Sequence, residues 1–196
     1  MEDDTAVPAA VRLVRDFVNT YEPQIDDESL TSPDQLRDWF ADRRLLPADA
    51  HLGPADLTVA MTIREGLRAV LLGHAGHHGD PAAIDQLNRA LADVPVALRF
   101  ADDGPRLVAT AGAPLGRALG GLVDAIRQCG EQGTWPRLKV CARDTCRWAY
   151  YDASRNQARR WCSMAGCGNY VKMRRAYAAR TGRTRAASDE GAQPAQ

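Results

Sequence analysis

Four of the five cysteines fall in one stretch as two equal pairs, Cys141-x4-Cys146 and, fifteen residues on, Cys162-x4-Cys167. Nothing else in the chain restricts its fold as tightly. The N-terminus, "MEDDTAVPAAVRLVRDF", starts acidic and has no apolar segment leading to a cleavage site, so no secretory signal is read there. In a chain that is not exported, paired thiols act as metal ligands or redox groups more often than as disulfides. Zinc takes thiolate sulfur in a tetrahedron, and structural sites draw two ligands from each of two short turns. Fifteen residues between the pairs suit a hairpin that brings the turns together, with "RWAYY" and "RRW" as its strands. The expected ligands are Cys141, Cys146, Cys162 and Cys167, holding one structural Zn2+. Such a site offers no open position for a substrate or a catalytic water, so the metal is read as a staple.

Charge is distributed as unevenly as the thiols. The chain is formally neutral, yet residues 137–185 hold 13 Lys/Arg against only Asp144 and Asp152, while residues 1–136 hold 12 Arg against 21 Asp/Glu. An acidic body joined to a basic module points to a polyanionic partner for the basic end. The plainer reading is a basic face that packs against the acidic body. An apolar share of 45% over 196 residues is enough for a buried core. No run of about 18 apolar residues occurs, so no membrane span is expected.

The periodicities describe an α+β chain. A mainly helical N-terminal domain with one β-hairpin is followed by a small zinc-ribbon or treble-clef-like module with a C-terminal helix. Val11, Val14, Phe17 and Val18 recur at helical spacing, and residues 21–31 read as a polar loop. Ser32 and Pro33 open a second helix, Asp56 caps a long third, and Asp80 with Pro81 starts a fourth. Alternation at Val96, Leu98 and Phe100, a "DDGP" turn, then Leu107 and Val108 predict a hairpin. A fifth helix is weakened by Gly116, Gly120 and Gly121, and "GTWP" marks the joint to the basic module. The predicted division is a body over 1–132, the zinc module over 133–185, and a disordered tail over 186–196. After Cys167, "GNYVKMRRAYAARTGR" reads as a helix whose Tyr170, Met173 and Tyr177 pack on the zinc hairpin. Lys172, Arg175 and Arg183 fall on its other side, with Arg174 and Arg180 on the flanks. The nucleic-acid-binding candidates are Lys172, Arg174, Arg175 and Arg180, joined by Arg155, Arg159 and Arg160.

The segment "CARDTCRWAYYDASRNQARRWCSMAGCGN" resembles the CGNR zinc-finger domain. "FVNT" at 17–20, "DQLRDWF" at 34–40 and "IREGLRAVL" at 63–71 are similar to the ABATE domain that accompanies it. The resemblance covers nearly the whole chain apart from the tail. It implies a bacterial transcription regulator, with the four cysteines as ligands, a module that binds nucleic acid, and a partner domain that senses a ligand. The chain departs from the pattern in "CGNY", where Tyr170 stands at the family's arginine. If the family's arginine contacts phosphate, its loss weakens binding or moves the contact to Lys172 or Arg174; if it is structural, the tyrosine must stack in its place.

Other candidates are weaker. His74, His77 and His78 read as a solvated helix end, Arg64 with Glu65 as a structural ion pair, and Cys129 as a small buried hydrophobe. Asn19 is a candidate for bridging backbone or for touching a small ligand. No nucleophile–base pair, phosphate loop or dinucleotide fingerprint occurs, so no enzyme is expected. The expected function is a cytoplasmic, nucleoid-associated DNA-binding regulator. The alternative is an adaptor for RNA or an acidic protein. The body is expected to sense a small-molecule effector, to form a homodimer, or to lie over the basic module and mask it.

Overall fold

Each helix starts where the local chemistry supplies a cap. In the computed structural model, which describes residues 7–102, 104–110 and 112–190 with side chains through residue 181, Ser32 Oγ accepts from Gln35 N–H and Pro33 occupies the first turn of α2 (Pro33–Asp42). Asp80 does the same for α4 (Pro81–Ala92), accepting from Ala82 N–H at 2.9 Å. For α3 (Pro54–His74) the N-cap is Gly53, not Asp56. Asp56 sits one turn in and accepts from Gly53 N–H at 2.7 Å. α1 (Ala9–Val18) buries Val11, Val14, Phe17 and Val18, the face its spacing predicts. α5 (Pro114–Glu131) and α6 (Asn169–Glu190) complete the helices of the described residues.

The core lies between α1, α2, α3 and α5. Phe17, Trp39 and Phe40 form its aromatic centre, with ring centroids 5.1–6.0 Å apart. Leu36, Ile63, Leu71, Leu119 and Leu122 close around them. α4 lies along α3, and Gly66 makes the approach close. A Cβ there would fall 2.4 Å from Leu87 Cβ. Gly121 in α5 likewise admits Leu45, whose Cδ2 would be 2.5 Å from an added Cβ. These glycines, which weaken the helix on propensity alone, are the price of tight packing.

Residues 21–31 are more ordered than a polar loop. β1 (Tyr21–Glu22) pairs antiparallel with β2 (Asp27–Glu28). Buried Arg64 holds the turn by donating to both Glu28 oxygens at 2.7 Å and to Glu65 at 2.8 Å. The predicted hairpin forms from β3 (Val96–Ala101) and β4 (Gly104–Ala109), with Leu98 opposite Leu107. Asp103 of its turn lies outside the described residues. Asp124 of α5 anchors the hairpin by accepting from Leu107 N–H at 2.8 Å.

A 3-10 turn over Trp135–Arg137 leads to the last sheet, in which β5 (Leu138–Val140) pairs antiparallel with β6 (Ala149–Tyr151). Leu138, Val140 and Ala149 belong to the main core, so the body and the zinc module share it. A second, smaller cluster gathers Tyr150, Trp148 and Trp161 around the cysteines. The architecture is the expected α+β arrangement, a mainly helical body followed by a treble-clef-like hairpin and helix. α6 continues through Glu190, past residue 186; residues 191–196 of the expected tail lie outside the described ones. No helix of the described residues is long and apolar enough to cross a membrane.

Candidate metal centre and nucleic-acid interface

Two turns deliver the four thiols. Cys141 directly follows β5 and donates its N–H to Trp148 O at 2.8 Å, while Cys146 N–H closes the knuckle on Arg143 O at 3.0 Å. The second pair arrives on an extended segment that Ala142 N–H ties at Arg160 O, 2.8 Å away. Cys167 lies in a wide helical turn, Met164–Gly168, capped by Ser163 and continuous with α6. The expected strand pair "RWAYY" and "RRW" is not the one formed. β6 pairs instead with β5, ahead of Cys141, because Leu138 and Val140 are apolar and meet the main core. Arg159, Arg160 and Trp161 belong to no strand.

The four Sγ atoms all lie within 4.8 Å of one another, with Cys146–Cys162 at 3.7 Å and Cys162–Cys167 at 3.8 Å. Zinc–sulfur bonds of about 2.3 Å set tetrahedron edges of about 3.8 Å, whereas a disulfide requires about 2.0 Å. The set therefore fits one zinc and is unsuited to disulfides. Hydrogen bonds among the crowded thiols drive their proton affinities apart. Hydrogen bonds from Cys146 and then Cys162 draw the Cys141 thiol down to about 2. The bond to Cys141 holds Cys146 up at about 12. A divalent cation lets all four ionise together, so metal binding and folding of this segment are coupled. The four thiolates hold one structural zinc. Arg143 supports them, with Nη1 3.8 Å from Cys167 Sγ.

The body grips this hairpin at several points. Asn19 behaves like an extra strand residue. Its Nδ2 donates to Ala149 O at 2.9 Å and its Oδ1 accepts from Ala149 N–H at 2.8 Å. Of the two readings offered for Asn19, backbone bridging is the one observed. Arg68, buried, donates to Arg147 O at 2.7 Å, to Val18 O at 2.6 Å and to Glu65 at 2.9 Å. His74 Nδ1 lies 2.7 Å from Leu138 O, so Nδ1 carries the proton, and its ring meets Trp135 edge-on at 5.3 Å. His77 Nε2 accepts from Arg160 Nη2 at 2.8 Å. Of the three histidines His78 is exposed while His74 and His77 are half-buried, so the solvated helix end is corrected for His74 and His77.

The predicted basic residues separate into groups. Arg160, Arg174 and Arg175 line one cleft at the root of α6. Lys172 and Arg180 are exposed along α6, and Arg155 is exposed in the preceding loop. Arg159 is half-buried, donates to Cys162 O at 2.7 Å and lies 5.1 Å from the Tyr150 ring centroid. Tyr170 stacks with the Arg143 guanidinium 3.8 Å from its ring centroid. Met173 and Tyr177 do not pack on the hairpin and are 72% and 63% exposed. Trp148, Trp161 and Tyr150 already fill the space around the metal site. No carboxylate of residues 1–136 lines the cleft, so masking by the acidic body has no contact there among the described residues.

Sequence reasoning missed four participants. Arg143 sits inside the first knuckle, and its place two residues after a ligand was the available signal. His77 is brought to Arg160 across 83 residues, which no local pattern announces. The buried Lys139–Asp152 pair, 2.9 Å apart, organises the loop before Cys162. Lys139 Nζ also donates to Gln157 O, and Asp152 accepts from Arg159 N–H at 3.0 Å. In the sequence both counted only as charges.

Compared with models of protein families, residues 11–147 match ABATE, described as "putative stress-induced transcription regulator". Residues 137–180 match the CGNR zinc finger. The two matches share residues 137–147, the stretch containing β5 and the first cysteine pair. A search of curated proteins returns no match. With the ABATE match spanning well over half of the chain and the four-thiol centre inside the second match, the chain belongs to the ABATE family and carries a CGNR zinc finger.

Proposed function

We propose that the chain is a DNA-binding transcription regulator that contacts the duplex with α6 and uses zinc to fix the root of that helix. The observation that carries this reading is the exposure of α6. Every side chain from 172 to 181 is exposed, including Lys172, Arg174, Arg175 and Arg180. A helix of 22 residues is about 33 Å long, and the major groove, about 12 Å wide, admits one. Cys167 and the Arg143–Tyr170 stack hold its first turn, so the helix is presented in a set direction. The zinc acts in folding and not in reaction. Exposed Met173 and Tyr177 favour a second reading, an adaptor whose α6 meets a protein or RNA.

The test uses the zinc-loaded full chain with duplex DNA and duplex RNA of one sequence, followed by fluorescence anisotropy across salt. DNA affinity is expected to exceed RNA affinity and to fall linearly with salt on logarithmic axes. Each phosphate contact contributes about 0.9 to the slope. Lys172→Ala with Arg180→Ala should reduce that slope by roughly two contacts. No measurable duplex affinity, equal RNA affinity, or a slope unmoved by the double variant overturns the reading in favour of the adaptor.

A further inference from the structure

Between the root of α6 and the first knuckle lies a cleft of about 470 Å³. This volume is within the range of small-molecule sites, roughly 300–1,000 Å³. Its composition is unusual for a surface that only meets solvent. Arg143, Arg160, Arg174 and Arg175 converge on it from three segments, and none forms an ion pair with a carboxylate among the described residues. Asp144, also in the lining, is engaged by Arg147 at 2.8 Å. Like charges held together in this way repel, and an anion among them removes the repulsion.

Two further features narrow the anion. Trp161 supplies a flat aromatic surface in the same cleft, whose lining also includes Val171 and Ala178. His77, contributed by the body, orients Arg160 through the 2.8 Å contact. A guanidinium can only donate, so His77 Nε2 is an acceptor and the imidazole is neutral. The remaining donors of Arg160 are left to point elsewhere, and guanidinium forks match phosphate oxygens. Cationic donors beside an aromatic plane suit a ligand with an anionic head and a flat body.

We propose that this cleft binds a nucleotide unit, its phosphate held by Arg160, Arg174 and Arg175 and its base laid along Trp161. The unit is either a free nucleotide or one nucleotide of a strand. The site shares Arg174 and Arg175 with the exposed face of α6 but includes neither Lys172 nor Arg180, so the two readings are tested apart by variants at those two positions. It also links the ABATE body to the module's ligand through the His77–Arg160 contact.

Isothermal titration of the zinc-loaded full chain tests it with three probes: adenosine 5′-monophosphate, adenosine and inorganic phosphate. The expected result is saturable one-to-one binding of the monophosphate, at least tenfold tighter than either part alone. Arg160→Gln and Arg174→Gln should each weaken it tenfold or more at unchanged zinc content. Ala178→Trp, on an exposed face of α6, should block the cleft without disturbing the core. A short single-stranded oligonucleotide then separates the sources. Displacement of the monophosphate with tighter binding identifies a strand as the occupant, and failure to displace it identifies a free nucleotide. Absent saturable binding, a monophosphate no tighter than phosphate, or binding indifferent to all three substitutions overturns the proposal. Loss of duplex affinity by Lys172→Ala with Arg180→Ala, with monophosphate binding intact, would concern α6 alone.

Discussion

At the scale of single residues, the joint between body and zinc hairpin depends on polar side chains that substitute for backbone. Asn19 satisfies both the N–H and the C=O of Ala149. Asn19→Ala leaves a buried amide without a partner and should cost about 1–3 kcal/mol, measured by urea denaturation of the zinc-loaded chain. Asn19→Asp, which keeps the acceptor and loses the donor, should also destabilise. A midpoint unchanged by either substitution would show the joint to be held elsewhere. His74 supplies a pH dependence. Burial, the largest influence, holds its imidazole below the ordinary value, and Lys139 acts the same way, against the carbonyls of Leu138 and Trp135. Folded His74 is therefore neutral where the unfolded chain already takes up a proton. Its contribution is complete above about pH 6.5 and is lost as pH falls below that through the folded value. His74→Asn keeps a donor for Leu138 O and removes the titration. It should flatten the decline of stability on the acid side of pH 6.5, and an unchanged decline would assign that limb to other groups.

At the scale of elements, helix contacts turn on a few glycines and ion pairs whose meaning is set by neighbours. Gly66 and Gly73 occupy the same helix and carry the same intrinsic helix penalty. A Cβ on Gly66 would strike Leu87 and Ala83, whereas one on Gly73 meets nothing within 4 Å. Gly66→Ala should push α4 from α3 and destabilise by about 1–3 kcal/mol. Gly73→Ala should stabilise by about 0.5–1 kcal/mol through propensity. Thermal melts of the two variants decide it, and shifts of the same sign would contradict the packing argument. The Lys139–Asp152 pair governs the loop between the knuckles in a similar way. Lys139→Met strands a carboxylate that is fully buried, a loss of about 3–5 kcal/mol by the usual cost of breaking such pairs. Reduced zinc retention during dialysis against a chelator would accompany it.

At the scale of the whole molecule, body and zinc finger are one folded unit with two unequal centres. β5 and β6 share the main core through Leu138, Val140 and Ala149. The metal site has only Tyr150, Trp148 and Trp161 around its sulfurs. Chelation is therefore expected to release the knuckles, the loop after β6 and the root of α6. β5, β6 and helices α1–α5 should keep slow amide exchange, as measured by hydrogen–deuterium exchange before and after chelator. Loss of protection in β5 and β6 would show that the metal, not the body, holds the hairpin. A fragment that begins at residue 133 would bare Leu138, Val140 and Ala149, so the finger is not expected to behave as a free-standing module.

Local signals determined much of this protein. Capping residues at Ser32 and Asp80, the apolar stripe of α1 and the alternation before "DDGP" are all short-range patterns, and the elements they predict form. The four ligands were legible because zinc chemistry restricts spacing as well as residue type, and the thiols do converge. The tertiary structure decided which strand β6 joins, because pairing follows the face that meets the core, and Leu138 and Val140 outweigh "RRW" there. It also decided that Tyr177 and Met173 face outward, since a helical stripe shows only that residues share a side and not whether anything covers it. Asn19 with Ala149 and His77 with Arg160 are separated by 130 and 83 residues. Contacts of that range have no periodicity to betray them, and only the folded chain brings them together.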